Sequence, residues 1–133
     1  MTVRSILLLI LLAASVGIVQ ASRAIVPVEQ AFGFFLADMG HGRYVLHAQV
    51  MPGFALYRDS IKMTSAGKAV AADLPTGRSI HDPVLGDQFV LSGDVQLPLE
   101  IDASTTDAVL TVRYRGCQVD VLCYPPQTVR FAL

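Results

Sequence analysis

Residues 110–133 read LTVRYRGCQVDVLCYPPQTVRFAL and contain both cysteines of the chain, Cys117 and Cys123. Apolar and polar side chains alternate before the cysteines, over residues 110–114, and again after them, over residues 129–133. An alternation of period two is typical of β-strands with one buried face. The stretch therefore predicts a β-hairpin whose tip carries the two cysteines.

The two cysteines can form a disulfide in such a hairpin. Directly opposed residues of antiparallel strands are about 4.5 to 5.5 Å apart at Cα, which overlaps the range that a disulfide requires. Closing so small a loop restricts the unfolded chain by only about 2.4 kcal/mol in the chain-entropy model. The pair is either a structural staple, the common case in a secreted domain, or a redox-active pair at an exposed tip. Pro125 and Pro126 favour exposure, because neither can donate to a sheet and regular pairing should stop there.

Residues 1–21 have the features of a secretory signal peptide. A single basic residue, Arg4, precedes an apolar core over residues 6–19, and small residues stand at the positions expected for cleavage after Ala21. The alternative is a membrane anchor, but the uncharged run is interrupted by polar residues and is short for a full span. We expect one mature domain over residues 22–133, in an oxidising compartment such as the bacterial periplasm.

Composition argues against several functional classes. The full chain has a formal net charge of −1 and no run of basic residues, so the sequence shows no electrostatic footprint for nucleic acid. The histidines, His41, His47 and His81, are scattered, and the cysteine spacing is not that of zinc ligands. We therefore expect neither a metal nor an organic cofactor.

The rest of the chain is predicted to be β-structure. No long stretch has a helical period of 3.6 residues, and short apolar segments are separated by glycine, proline and aspartate turns. This pattern indicates an all-β sandwich, although it does not by itself separate a sandwich from a small barrel. The segments expected to be extended are 25–36, 44–50, 54–58, 61–63, 69–74, 89–91 and 95–101.

The cysteine hairpin resembles a known active site. Residues 114–117, YRGC, and residues 123–128, CYPPQT, are similar to the active-site hairpin in the family of N-terminal periplasmic domains of the thiol:disulfide interchange protein DsbD. The resemblance extends over nearly all of residues 25–133 and implies an immunoglobulin-like β-sandwich with a redox-active hairpin tip and a cap loop. It also implies that Cys117 and Cys123 are the catalytic pair, and that Cys123 forms a mixed disulfide which Cys117 resolves.

Other segments carry the resemblance to the border of the active site. Residues 74–77, LPTG, and residues 81–86, HDPVLG, fall where the family has a cap loop that covers the disulfide until a partner displaces it. Residues 54–58, FALYR, match a strand whose aromatic residues border the site. The cap-loop and site-bordering residues predicted in this way are Tyr57, Asp82, Pro83, Val84, Leu85, Gly86 and Tyr124.

The sequence departs from the family pattern at the cap. Pro83 stands where an acidic residue is usual, Val84 and Leu85 stand where aromatic residues are usual, and Ala55 replaces a tyrosine. These changes predict a less bulky cap. Asp82 matches the cap-loop acid, which could tune a thiol pKa or transfer a proton. The alternative is that Asp82 is a turn residue that bonds local backbone ahead of Pro83.

These observations predict a periplasmic thiol-disulfide oxidoreductase that relays reducing equivalents by dithiol exchange with thioredoxin-like proteins, its electron donor and acceptors. The sequence ends with the last predicted strand, so we expect the chain to be either a stand-alone version of the domain or a fragment. The membrane-embedded and thioredoxin-like domains that the resemblance implies for a full-length family member are absent from it, so we expect the donor to be a separate polypeptide, with a membrane electron transporter as a further partner. The rival hypothesis is a secreted immunoglobulin-like binding or assembly module. In that case the disulfide is purely structural and the cap-like loop recognises a partner.

Overall fold

The structure of the protein is a computed structural model that describes residues 24–102 and 108–133. The predicted leader, residues 1–21, lies outside these ranges. Within them the chain forms one short helix, a 3-10 turn and twelve strands, and no helix there is long and apolar enough to cross a membrane. The helix is α1 (Val28–Ala31) and the 3-10 turn is Arg58–Ser60. The strands are β1 (Phe32–Gly40), β2 (Arg43–Val50), β3 (Phe54–Tyr57), β4 (Lys62–Ser65), β5 (Lys68–Ala69), β6 (Arg78–Asp82), β7 (Gly86–Leu91), β8 (Gly93–Glu100), β9 (Val109–Tyr114), β10 (Gly116–Gln118), β11 (Leu122–Cys123) and β12 (Gln127–Ala132).

These strands pair antiparallel in three sheets that enclose one large hydrophobic core. The first sheet has the order β1-β2-β8, the second β11-β10-β3-β7-β6, and the third β12-β9-β4-β5. The architecture is the immunoglobulin-like β-sandwich that was predicted. The largest side chains that are fully buried in it are Leu46, Leu56, Leu97, Leu110 and Val112.

Strand β8 shows how alternation in the sequence builds this core. Val95, Leu97 and Leu99 are buried, while the residues between them are exposed. Full burial of a leucine or valine side chain stabilises a fold by about 1.5 to 3 kcal/mol. Leu97 pairs with Leu46 of β2, so the inward faces of adjacent strands meet at the centre of the core.

The predicted hairpin is present, but its tip belongs to a different sheet from its stem. Strands β9 and β12 pair from Tyr114 opposite Gln127 to Val109 opposite Ala132, which confirms the two alternating strands. Only Arg115 separates β9 from β10, and β10 then pairs with β3 of the five-stranded sheet. The cysteines are therefore carried away from the stem and onto that sheet.

The first segment agrees with its prediction in part. Residues 25–36 were expected to form an edge strand and its approach, and β1 is an edge strand of the first sheet. It begins only at Phe32, because Val28–Ala31 form the helical turn α1 before it. Pro27 explains the turn, since its restricted φ suits the start of a helix. The carbonyl oxygen of Pro27 accepts the N–H groups of Gln30 at 3.0 Å and Ala31 at 3.2 Å.

Two further segments were misread around the predicted cap. The extended segment 69–74 is wrong beyond Ala69, where only an isolated bridge joins Ala72 to Leu99. Strand β6 was missed because Ile80 is the single apolar residue in its sequence, RSIHD, so no alternation marks it. It is held instead by its pairing with β7, from Arg78 opposite Val90 onward.

Candidate functional site

Cys117 and Cys123 form a disulfide across the short hairpin of β10 and β11. The two residues are directly paired in the strand register, and their sulfur atoms are bonded at 2.06 Å. Their Cα atoms are 3.9 Å apart, which is closer than the roughly 4.5 to 5.5 Å of an unlinked antiparallel pair. The backbones of β10 and β11 are therefore closely apposed at the tip.

The two cysteines differ sharply in accessibility. Cys117 is buried, with 6% of its surface exposed, whereas Cys123 is exposed. Cys117 lies on an inner strand between β11 and β3, and Cys123 lies on the outermost strand of the sheet. An incoming thiolate therefore has an open approach to the Cys123 sulfur and a blocked approach to that of Cys117.

The backbone of Cys123 also faces the open edge of the sheet. The N–H of Tyr124 donates to the carbonyl oxygen of Gly116 at 3.0 Å. Hydrogen-bonded and non-hydrogen-bonded pairs alternate along antiparallel strands, so Cys117 and Cys123 form a pair without mutual backbone bonds. The N–H and C=O groups of Cys123 therefore point away from β10.

Cys117 belongs to a small apolar cluster that is separate from the main core. Its buried members are Ala55, Tyr57, Val90 and Cys117, with Ile80 packed against them. Alternation along β3 explains the separation, because Ala55 and Tyr57 lie on one face while the residues next to them lie in the main core. The five-stranded sheet thus carries the disulfide on its outer face.

The predicted cap forms the turn of the β6–β7 hairpin, residues 83–85, which we call the cap turn. Asp82, which is buried, precedes it. Its Oδ1 accepts the backbone N–H groups of Val84 at 2.7 Å and Leu85 at 2.8 Å, while its Oδ2 accepts a short hydrogen bond from the Tyr57 hydroxyl. The alternative role of Asp82 as a turn residue is therefore realised in the geometry, and Tyr57 ties the turn to β3.

These contacts shift the titration of both side chains. The Tyr57 hydrogen bond, followed by the N–H groups of Leu85 and Val84, lowers the pKa of the Asp82 carboxyl below its ordinary value. Burial, reinforced by the same hydrogen bond and by the Asp82 charge, raises the pKa of Tyr57 to about 12. The pair is therefore a carboxylate and a neutral phenol over the whole neutral range.

Acidification should weaken this anchor. Because the folded pKa of Asp82 is lowered, its stabilisation is present above the ordinary value of 3.8 and is lost as pH falls through the lowered value. Asp82→Asn should remove that part of the pH dependence. Urea unfolding between neutral pH and about pH 2 should show a shallower acid loss for this variant than for the wild type. Asp73→Asn, at an exposed carboxylate, is the control, and equal acid profiles for all three proteins would contradict the role of Asp82.

The cap turn lines a cleft above the disulfide but covers it incompletely. The cleft has a volume of about 540 Å³ and contains both cysteines, Tyr57, Asp82 and the whole cap turn among its lining residues. Val84 is 87% exposed and Leu85 is 41% exposed, so their apolar side chains are open to solvent. This agrees with the less bulky cap expected from the sequence.

Two predicted residues lie outside the lining of this cleft. Tyr124 is buried in the main core, where its ring packs edge to face on Phe32 with centroids 6.0 Å apart and its hydroxyl donates to the Val26 carbonyl oxygen at 2.5 Å. It therefore supports the hairpin from beneath. Gly86 begins β7 with a positive φ of 76° and ends the cap turn, a conformation that glycine adopts without strain.

Arg115 is a cleft residue that the sequence reasoning missed. Its side chain lines the cleft beside Cys117, which follows Arg115 by two positions in the sequence. Residues two apart on a strand share a face, so this spacing was a signal that could have identified it. Residues 118–122 of the tip and three residues of β6, Arg78, Ile80 and His81, also line the cleft.

His81 lines the same cleft as the two cysteines, but it does not belong to a metal-binding group. Among residues 24–102 and 108–133, no group of three or more histidine, cysteine or acidic side chains is arranged to hold a metal ion. His81 instead lies 2.8 Å from a carboxylate oxygen of Asp87 on the exposed side of the β6–β7 hairpin.

Comparison with known proteins agrees with this geometry. The family model described as "Thiol:disulfide interchange protein DsbD, N-terminal" matches residues 22–133. The DsbD protein of Cronobacter sakazakii is 35% identical over 110 residues, which cover 82% of this chain and 19% of that protein. The DsbD protein of Tatumella citrea is 36% identical over 104 residues, which cover 77% of this chain and 18% of that protein. The chain thus spans about a fifth of the length of these relatives.

Solved structures share the fold. The N-terminal domain of Neisseria meningitidis DsbD in its reduced form aligns with a TM-score of 0.72 at 23% identity, covering 82% of this chain and 89% of that one. A second structure is of the complex between the N-terminal domains of DsbD and PilB from the same organism. It aligns with a TM-score of 0.68 at 22% identity, and the alignment covers 81% of this chain and 86% of that chain. The family model and the curated relatives together show that this chain belongs to the family of DsbD N-terminal domains.

Proposed function

We propose that this chain acts in the periplasm as a thiol-disulfide oxidoreductase. It relays reducing equivalents between thioredoxin-like proteins by dithiol exchange at Cys117 and Cys123. The observation that carries the proposal is the unequal exposure of the two cysteines, since Cys123 is exposed and Cys117 is buried. A purely structural disulfide gains nothing from an exposed sulfur on an edge strand.

The exchange has two balanced steps. A thiolate of the reduced donor attacks the Cys123 sulfur, a mixed disulfide forms, and Cys117 leaves as a thiolate that takes up a proton. The second thiolate of the donor then attacks the donor's first sulfur atom in the mixed disulfide and releases Cys123 as a thiolate. The donor is oxidised to a disulfide and this chain is reduced to a dithiol. The reverse sequence delivers the same two electrons to an oxidised acceptor.

The edge position of Cys123 supports the direction of approach. A donor that arrives beside β11 meets the sulfur and the free backbone groups of Cys123 without moving another strand. Related domains provide a precedent for docking a second protein, because a DsbD N-terminal domain has been solved in complex with a PilB N-terminal domain.

The cap turn limits wasteful exchange in this proposal. A partner that fills the whole cleft displaces residues 83–85 as well as contacting the exposed Cys123, and the three hydrogen bonds accepted by Asp82 oppose that displacement. Both carboxylate oxygens of Asp82 are occupied in this way, which favours positioning of the cap over proton transfer. Asp82 and Tyr57 are then positioning residues, while Cys117 and Cys123 are the catalytic residues.

Export completes the proposal. Residues 1–21 act as a leader that is removed, and residues 22–133 fold as one domain in the periplasm. Electrons reach this domain from a thioredoxin-like donor, with a membrane electron transporter upstream of that donor. The chemistry requires only thiols and disulfides, without a metal or an organic cofactor.

An equilibrium redox titration of residues 22–133 against glutathione or dithiothreitol tests the proposal. Exchange-active disulfides have reduction potentials above about −300 mV, whereas structural ones typically lie below this value. We expect the Cys117–Cys123 disulfide to titrate above it. A potential well below about −300 mV would contradict the proposal and favour the binding module with a structural disulfide.

A further inference from the structure

The outer face of the third sheet gathers basic residues from three separate parts of the sequence. Lys62 on β4 pairs with Arg113 on β9, which pairs with Thr128 on β12. In the next row, Thr64 pairs with Thr111, which pairs with Arg130. The residues between these positions on β4 and β9 point into the core. We call the six outward residues the cationic face: Lys62, Thr64, Thr111, Arg113, Thr128 and Arg130.

The basic residues of this face form no ion pair with any other residue that the structure describes. Strands β4, β5, β9 and β12 contain no aspartate or glutamate. In the part of the chain that the structure describes, the ion pairs are Arg58 with Asp59 and His81 with Asp87, so Lys62, Arg113 and Arg130 take part in none. All three basic side chains are exposed.

The pairing of Lys62 with Arg113 is unfavourable for folding. Like charges that are directly opposite on one face of a sheet repel each other and destabilise it. An acidic residue at either position would form a favourable cross-strand pair instead. The arrangement therefore has no explanation in the stability of the sheet, which points to a role in binding.

The cationic face is continuous with the redox cleft. Residues 113, 115 and 117 alternate with the buried residues Tyr114 and Gly116 along β9 and β10, so Arg113, Arg115 and Cys117 project on the same side. At about 3.4 Å per residue, Arg113 is at most roughly 14 Å from Cys117 along the strand. A protein footprint of about 800 Å², roughly 16 Å in radius, can cover both.

We propose that the cationic face docks a complementary acidic surface on the thioredoxin-like partner and thereby guides the partner's cysteine to Cys123. The inference rests on the proposed function and specifies the partner, which must carry carboxylates beside its reactive cysteine. An anionic membrane is the less suitable occupant. A bilayer lying on a face that runs into the cleft would cover Cys123 and block exchange.

The rate of exchange with charged probes tests this. The probes are three short dithiol peptides that differ only in flanking residues, which are glutamate, glutamine or lysine. At low salt, where the Debye length is about 30 Å, oxidised wild-type protein should react with the glutamate peptide about tenfold or more faster than with the glutamine peptide. The advantage should disappear near 1 M salt, where the Debye length is about 3 Å. Equal rates for the three peptides at low salt would overturn the proposal.

Charge reversal locates the effect on the cationic face. Lys62→Glu should raise the melting temperature, because it creates a favourable pair with Arg113, and yet it should slow exchange with the glutamate peptide several-fold. Lys62→Glu combined with Arg130→Glu should remove the preference for the glutamate peptide. Arg43→Glu, at an exposed position on β2 in another sheet, should retain it. Retention of the preference by the double variant would also overturn the proposal.

Two further measurements separate this proposal from the proposed function. Reduction by dithiothreitol near 1 M salt, where the charge of its attacking thiolate is screened, should proceed equally in all variants. A protein that exchanges with dithiothreitol but ignores peptide charge therefore fails only the docking proposal. NMR shifts at Lys62, Arg113 and Arg130 on adding the glutamate peptide with serine in place of cysteine report docking without exchange. Cosedimentation with anionic phosphatidylglycerol vesicles, without any peptide preference, would assign the face to membranes and contradict the proposal.

Discussion

Cys117→Ala should capture a thioredoxin-like partner as a long-lived mixed disulfide, whereas Cys123→Ala should not. Release of the mixed disulfide from this side needs a second thiolate within bonding reach, and the hairpin holds Cys117 directly opposite Cys123. Without Cys117 the reaction halts midway. Without Cys123 it does not begin, because the remaining sulfur is buried between β3 and β11.

The experiment mixes each reduced single variant with a thioredoxin-like protein whose accessible cysteine is activated as a mixed disulfide with a small aromatic thiol. Products are resolved on a non-reducing gel. The two variants are matched controls for each other, since each lacks the same disulfide and loses the same loop constraint of about 2.4 kcal/mol. Equal trapping by both variants would overturn the assignment of Cys123 as the partner-facing cysteine and Cys117 as the resolving cysteine. Trapping by neither, with both variants folded, would favour a structural disulfide.

Gly116→Ala should destabilise the domain severely. A Cβ at this position would lie 2.7 Å from Cε1 and 2.8 Å from Cε2 of the Phe32 ring, and closer still to Cζ, whereas carbon atoms pack at about 3.5 to 4.0 Å. Phe32 cannot move aside, because it is buried and its ring is packed against those of Phe54, Tyr114 and Tyr124. Overpacking of this kind costs at least about 1 to 3 kcal/mol of the free energy of unfolding.

Gly33→Ala is the matched control for that substitution. Gly33 also lies in a strand, but its nearest neighbours are atoms of the Gln49 side chain at 3.6 and 3.7 Å, which is ordinary packing distance. Its φ is not positive, so alanine is tolerated and should change stability by less than about 1 kcal/mol. Urea unfolding of both variants measures the difference. A similar stability for the two would show that β10 or Phe32 relaxes freely.

The strands that could be predicted are those in which the local sequence alternates between residues that become buried and residues that become exposed. Strands β8, β9 and β12 have an apolar residue at every second position, at 95, 97 and 99, at 110, 112 and 114, and at 129 and 131, and these residues are in contact with the core. Strand β6 has no such alternation and forms because β7 offers it backbone partners. Pairing of that kind depends on residues that are close only after folding, so no local pattern reveals it.

The candidate site was predictable to a similar extent. The cysteine hairpin and the cap were identified from contiguous motifs. The hydrogen bond between Tyr57 and Asp82 joins residues 25 positions apart, and it could not be inferred from spacing. The cationic face is a clearer case, because the sequence has no basic run, and only the register of three strands brings Lys62, Arg113 and Arg130 together.

The five-stranded sheet separates the main core from the cleft that contains the disulfide. Phe54 and Leu56 on one face of β3 complete the main core, while Ala55 and Tyr57 on the other face lie beside the disulfide. A substitution on the reactive face changes the floor or the lid of the cleft without opening a void in the main core. Under the proposed function, substitutions on this face therefore alter which partners the cleft accepts at little cost to folding.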